Sequence, residues 1–241
     1  LTRWFPLPKT LLPTAVGVDI SDTSIKWIVL EESVKGKRVR SFGQEFLPGG
    51  TVVNGVVQDV SALAQSLSEM KKKLGGIECA HASLPEEAAY VFSMHVPENS
   101  SRAQTLSMIE FELEGRVPIA PSLALYDFDV IIQHDDGVGE EIGVVVFPRD
   151  LAENYASAFS LAKIRLLSLE VEANSIARAV SNDSTHEPIT LLVDFGRLRT
   201  SFAVLKLGKP IFTSTVEVGG ETIDHAIIQK LSLSPEDVTA F

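Results

Sequence analysis

Apolar residues along this chain fall into short alternating runs broken by glycine and proline, interleaved with stretches whose apolar positions recur at helical spacing. Val16 to Leu30 reads as two strands, and Val34 to Arg38 turns into a third that runs to Phe46. A Gly-rich loop and short strand occupy residues 48–57. Asp59 stands at the N-cap of a predicted helix carrying Leu63, Leu67, Met70 and Leu74, and Gly75-Gly76 ends it. The first 76 residues therefore predict three strands and a helix.

The next segment, expected to span residues 77–168, has strands at Cys79–Leu84 and Ala89–Val96, stopped by Pro97. A helix is predicted over Ser100–Arg116, with Leu106, Ile109 and Leu113 on one face and Glu110 and Glu114 on another; Val117-Pro118 closes it. Strands Leu123–Gln133 and Glu141–Phe147 flank an acidic loop, His134–Glu140, whose loop-tip position argues against a metal site. Asp150 is expected to cap a helix ending near Ala162. The third segment, residues 169–241, opens with a predicted helix over Ser168–Val180 and a polar loop from Ser181 to Pro188. Three strands then follow from Ile189 to Val218, and Gly219-Gly220 leads into a helix over Glu221–Leu231.

Two of these hairpins echo each other. Asp19 and Asp194 each end an apolar strand, and the same 175-residue offset separates Trp27 from Phe202 and Ser21 from Gly196. A turn tight enough to gather several backbone N–H groups makes an anion-binding concavity. A carboxylate beside it can hold Mg²⁺ through water, because magnesium keeps much of its hydration shell. The paired glycines before the last helix put a helix N-terminus in a position that favours phosphate.

The residues that carry this repeat also carry a resemblance. Asp194-Phe-Gly-Arg-Leu-Arg-Thr200 after an apolar strand, and the earlier hairpin from Asp19 to Lys26, resemble the phosphate-2 and phosphate-1 motifs of the actin/Hsp70/sugar-kinase superfamily. Within it the chain resembles the PilM family of type IV pilus assembly, relatives of the division protein FtsA. That likeness rests also on Pro48-Gly-Gly-Thr-Val-Val-Asn-Gly55, Glu114-Gly-Arg-Val-Pro118 and Phe212 to Ile228. The resemblance implies an α/β, actin-like ATPase (ribonuclease-H-like) fold of duplicated strand-hairpin-helix units. It makes residues 77–168 the inserted small α+β subdomain called 1C, and it leaves the helical subdomain and adenosine motif of a C-terminal lobe outside this sequence. It implies ATP and Mg²⁺ as cofactors, contacted by Asp19, Ser21, Asp22, Thr23, Ser24, Lys26, Asp194, Gly196, Arg197, Thr200, Gly219 and Gly220, with Asp19 and Asp194 toward the metal. Ser21 and Asp22 depart from the family pattern of Gly and a small or hydroxyl residue. Arg197 and Arg199 are the candidates to offset the charge of Asp22.

The implied partner is the cytoplasmic N-terminal segment of PilN, an inner-membrane pilus protein, in a groove by the inserted subdomain; the pilus ATPase is a second candidate. An FtsA-like division protein and a sugar-kinase-like phosphotransferase are the alternatives. No acid/base residue stands out, so turnover of ATP is expected to be slow at most. The implied location is cytoplasmic, at the inner membrane through the partner.

Composition narrows the classes further. The chain has 241 residues, 45% hydrophobic and 22% charged, which suits a folded rather than a disordered protein. Its net charge of −11 disfavours nucleic acid and anionic lipid as partners of the bulk surface. One cysteine, Cys79, leaves no internal disulfide framework and reads as a small apolar core residue. No apolar run reaches the roughly 18 residues of a membrane span. Pro6, Pro8 and Pro13 interrupt the N-terminal stretch, which reads as an extended lead-in with Trp4 and Phe5 tucked against the body rather than as a signal peptide.

Overall fold

The computed structural model describes residues 14–33, 36–133, 139–181 and 189–234. Trp4, Phe5, most of the acidic loop and most of the Ser181–Pro188 loop lie outside them. In chain order the elements are β1 (Ala15–Ile20), β2 (Ser24–Ser33), β3 (Gly36–Phe46), β4 (Val52–Val53), β5 (Val56–Val57), α1 (Val60–Lys73), β6 (Cys79–Leu84), β7 (Tyr90–Val96) and α2 (Arg102–Arg116). There follow β8 (Ala124–Gln133), β9 (Glu140–Pro148), α3 (Arg149–Leu161), β10 (Arg165–Val171), α4 (Glu172–Val180), β11 (Ile189–Phe195), β12 (Thr200–Lys206), β13 (Lys209–Val216) and α5 (Gly220–Leu231). They form two compact units, residues 1–85 with 148–172, and residues 86–147 with 173–241.

The first unit is a five-stranded sheet ordered β10-β6-β1-β2-β3, with β1 antiparallel to β2 and β6 parallel to both β1 and β10. Alternation makes one face core in β1 and β2, through Val16, Val18 and Ile20 and through Ile25, Trp27 and Val29, while the central β6 buries Cys79, Ala80, Ala82, Ser83 and Leu84 on both faces. Helix α1 brings Leu63, Leu67 and Met70, and α3 brings Tyr155 and Phe159, all fully buried. Asp59 accepts the Ala62 N–H at 2.9 Å, which makes it the N-cap, and positive φ at Gly75 and Gly76 ends α1 as expected.

Three expectations change here. Cys79–Leu84 was placed in the inserted segment, but it pairs with β1 along Ala15–Val18, so it belongs to the first sheet. Strand β10 joins the same sheet, α3 falls in the same compact unit, and residues 86–147 group with 173–241. Ser168–Val171, expected as the start of a helix, is instead the end of strand Arg165–Val171, because its backbone completes the parallel ladder with Cys79–Leu84 and the helix begins only at Glu172. Pro148, not Asp150, occupies the N-cap of α3, and no side chain caps that end. Asp150 sits in the first turn, where its charge complements the helix dipole.

The second unit holds a three-stranded sheet ordered β7-β9-β8 and another ordered β11-β12-β13. Helix α2 packs on the first of these through Ile109 and Leu113, joining Val96, Val117, Ala124, Ile142, Val144 and Val146 in one cluster. A reciprocal capping box between Ser101 and Gln104 starts α2, and Val117 turns extended before Pro118. Ala173 and Ala177 of α4 pack on Ala203 and Leu205 of β12.

Candidate functional site

The two hairpins keep one register across their offset. Asp19 pairs with Lys26 and Val18 with Trp27; Asp194 pairs with Ser201 and Val193 with Phe202. Their turns close by the same bond: Ser21 N–H donates to Ser24 O at 2.9 Å, and Gly196 N–H donates to Arg199 O at 2.8 Å. Asp19 and Asp194 thus occupy equivalent strand ends, each one residue pair before its turn.

In the first turn the Asp19 carboxylate accepts from Ser83 Oγ at 2.9 Å, and Lys26 Nζ lies 3.8 Å from its other oxygen. Ser21 Oγ caps the turn, donating to Ser24 O at 3.2 Å and accepting Ser24 N–H at 3.3 Å. Ser24 is buried, and Thr23 O accepts Leu47 N–H at 2.9 Å. Asp22 has a role of its own. Its two oxygens accept the N–H groups of Asn54 at 2.9 Å and Gly55 at 3.0 Å. Asn54 and Gly55 both have positive φ, 52° and 70°, as a two-residue β4–β5 hairpin demands, and Gly55 O takes a 2.8 Å bond from the buried Tyr155 hydroxyl. The carboxylate that breaks the family pattern is therefore bonded to a neighbouring turn. The Asn-Gly dipeptide was the available signal for that turn, and its amides were the missing partners.

In the second turn Asp194 is exposed, with no hydrogen-bond or ion-pair partner among the described residues. Thr200 is buried and donates from Oγ1 to Val218 O at 2.6 Å, locking the strand that leads to α5. The start of α5 lies against the turn itself: Gly220 N–H donates to Gly196 O at 3.0 Å, and Glu221 N–H to Arg197 O at 2.9 Å. A Cβ on Gly219 would stand 2.5 Å from Arg197 O, and one on Gly196 would stand 2.9 Å from Arg199 O. Only glycine admits this close approach. The paired glycines thus dock helix on turn, and the Gly220 and Glu221 amides are engaged within the protein.

Arg197 pairs with Glu221 at 3.3 Å, and Arg199 with Glu87 at 2.7 Å, the latter pair largely sheltered. Sequence reasoning missed Glu87 and its neighbour Glu86. Glu86 is 4% exposed; one oxygen accepts Ala173 N–H at 3.0 Å in the first turn of α4, and the other has no hydrogen-bond partner among the described residues. Burial holds its carboxyl above the usual range, against bonds from Thr213 and Ala173 that lower it. Cys79 is buried and free, as its composition suggested, and among the described residues no three acidic, His or Cys side chains gather as a metal cluster.

Two motif-bearing hairpins in one register, each followed by its own helix, define an actin-like protein, a fold class that includes nucleotide binders. Solved structures agree on the fold. The protein matches the PilM–PilN type IV pilus biogenesis complex with a TM-score of 0.78 at 18% identity, over 93% of this chain and 68% of that one. It matches the cytoplasmic domain of EpsL, an inner-membrane component of the Vibrio cholerae type II secretion system, at 0.56 and 13%, over 91% and 76%. A third match is the ethanolamine utilization protein EutJ from Carboxydothermus hydrogenoformans, at 0.56 and 17%, over 98% and 62%. Residues 17–240 match the family of the type IV pilus assembly protein PilM, and the chain belongs to that family. Among the described residues no helix is long and apolar enough to cross a membrane.

Proposed function

We propose that this protein is an ATP-binding scaffold of pilus assembly that captures the cytoplasmic N-terminal segment of a PilN-like inner-membrane protein. It would then lie on the cytoplasmic face, at the membrane through its partner. The observation that supports the nucleotide half is the shared register of the two hairpins, which sets one carboxylate beside each turn. The donor set suits magnesium: Asp194 is an exposed carboxylate without a partner among the described residues, and hard oxygen ligands that leave room for water are what Mg²⁺ takes. Asp19 and Asp194 would orient the hydrated ion, which would neutralise phosphate charge when bound. Lys26, Ser21 and Thr23 serve the phosphates from the first turn, Arg197 and the Gly196 turn from the second. Gly219 and Gly220 act indirectly, by fixing that turn against α5.

The partner half rests on membership of the PilM family and on the match to a PilM bound to PilN. The segment 86–147, with its own α2–sheet core, is the part we assign to peptide capture. Calorimetric titration tests the first half: Asp194→Ala abolishes Mg-ATP binding while circular dichroism stays unchanged, and undiminished affinity would refute the carboxylate's role. Fluorescence polarisation with a labelled PilN N-terminal peptide tests the second: binding persists without ATP and disappears when residues 86–147 are excised. Capture of the peptide by a folded excision variant would place the groove elsewhere.

A further inference from the structure

We propose that an open cavity at the C-terminal ends of α1 and α3, within the first unit, binds a phosphate-bearing anion. The cavity has a volume of about 860 Å³ and is lined by Arg40, Lys71, Lys163 and Arg165, with Glu78 the single carboxylate and Ser160 a hydroxyl on its wall. That size lies within the range of roughly 300–1,000 Å³ typical of small-molecule sites.

What marks the site is unmatched charge. Four other cations of this unit have carboxylate partners: Lys26 with Asp19, Arg38 with Glu31, Lys72 with Glu69 and Lys73 with Glu45. Among the described residues none of the four cavity cations has one. Lys71 Nζ donates to Lys163 O at 2.6 Å, and Arg165 donates to Cys79 Sγ at 3.2 Å; both are neutral acceptors that leave the charge in place. These bonds also hold two of the cationic side chains in position.

Basic residues at helix C-termini are ordinary complements of the dipole, so that account must be weighed. Each helix end contributes only about half a negative charge. Two ends and Glu78 together leave an excess of about two positive charges in the cavity. A phosphomonoester carries about −1.5 to −2 near neutral pH and matches that excess, whereas a single carboxylate does not. The chain as a whole carries −11, so its bulk field repels anions and the attraction is local. The same chemistry is offered by a soluble phosphorylated metabolite and by an anionic phospholipid headgroup.

The test uses the whole chain at low salt in EDTA, which removes Mg²⁺-dependent binding. Inorganic pyrophosphate is titrated calorimetrically, and in parallel the protein is sedimented with vesicles of equal phosphatidylglycerol and phosphatidylcholine, against phosphatidylcholine alone. Pyrophosphate binds saturably; Arg40→Gln with Lys163→Gln weakens it roughly tenfold or more, since charge-assisted contacts carry the binding. Lys37→Gln, outside the cavity, and Asp194→Ala, in the second hairpin, leave it unchanged, which separates this site from the nucleotide reading. Sedimentation with the anionic vesicles that the double variant loses identifies a headgroup; pyrophosphate binding without sedimentation identifies a soluble ligand. Binding of neither probe, or binding that the folded double variant retains, overturns the proposal. So does capture of poly-L-glutamate in place of both, which would make the cavity a seat for an acidic peptide.

Discussion

Single residues at the turns are held by sterics and by hydrogen bonds of unequal consequence. Gly219 has no alternative, because any Cβ meets the Arg197 carbonyl at 2.5 Å. Gly219→Ala forces the helix off the turn and costs about 1–3 kcal/mol, read as a lower urea midpoint. Asp22→Ala leaves two turn amides without their acceptor and destabilises by about 1–3 kcal/mol, although it removes a charge near the phosphate turn. Glu86 makes a pH prediction. Its folded carboxyl has a raised affinity for its proton because burial penalises the anion. Its contribution to stability is therefore complete below the ordinary glutamate pKa and declines as pH rises from there through the folded value. Glu86→Gln keeps an acceptor for Ala173 N–H without the charge. It is expected to be more stable than the parent at pH 7.5, with the gap closing toward pH 4, measured by urea unfolding at both pH values.

At the scale of elements, local signals decide where helices start and stop, and partners decide what a marginal segment becomes. Asp59 was legible because capping is a contact between residues three apart. Removing the Asp59 acceptor with Asp59→Ala costs about 0.5–2 kcal/mol, visible as a lower melting temperature. Arg165–Val171 shows the opposite case. Its residues tolerate either conformation, and the strand exists because the Cys79–Leu84 edge lies beside it. The α3 start illustrates a smaller override, where Pro148 takes the N-cap and leaves Asp150 within the first turn.

For the whole molecule the consequence of these pairings is where the chain can be cut. The first sheet draws β1, β2 and β3 from one end of its sequence and β6, α3 and β10 from both sides of residues 86–147. Excising 86–147 leaves every strand of that sheet, so the emission of Trp27, 8% exposed, stays blue-shifted. Excising 77–168 removes β6, α3 and half of β10, and the same emission moves to the red with loss of the cooperative transition.

The duplicated hairpin, its aspartates and the family were open to reading from the chain alone, since alternation, tight-turn residues and a constant offset are properties of neighbours in sequence. The pairing of Cys79–Leu84 with β1, the bonding of Asp22 to the Asn54-Gly55 turn, the engagement of both arginines with glutamates and the buried Glu86 were decided only by the tertiary structure. Each of these joins residues more than twenty positions apart, and nothing local distinguishes a carboxylate that will meet an amide from one that will meet water.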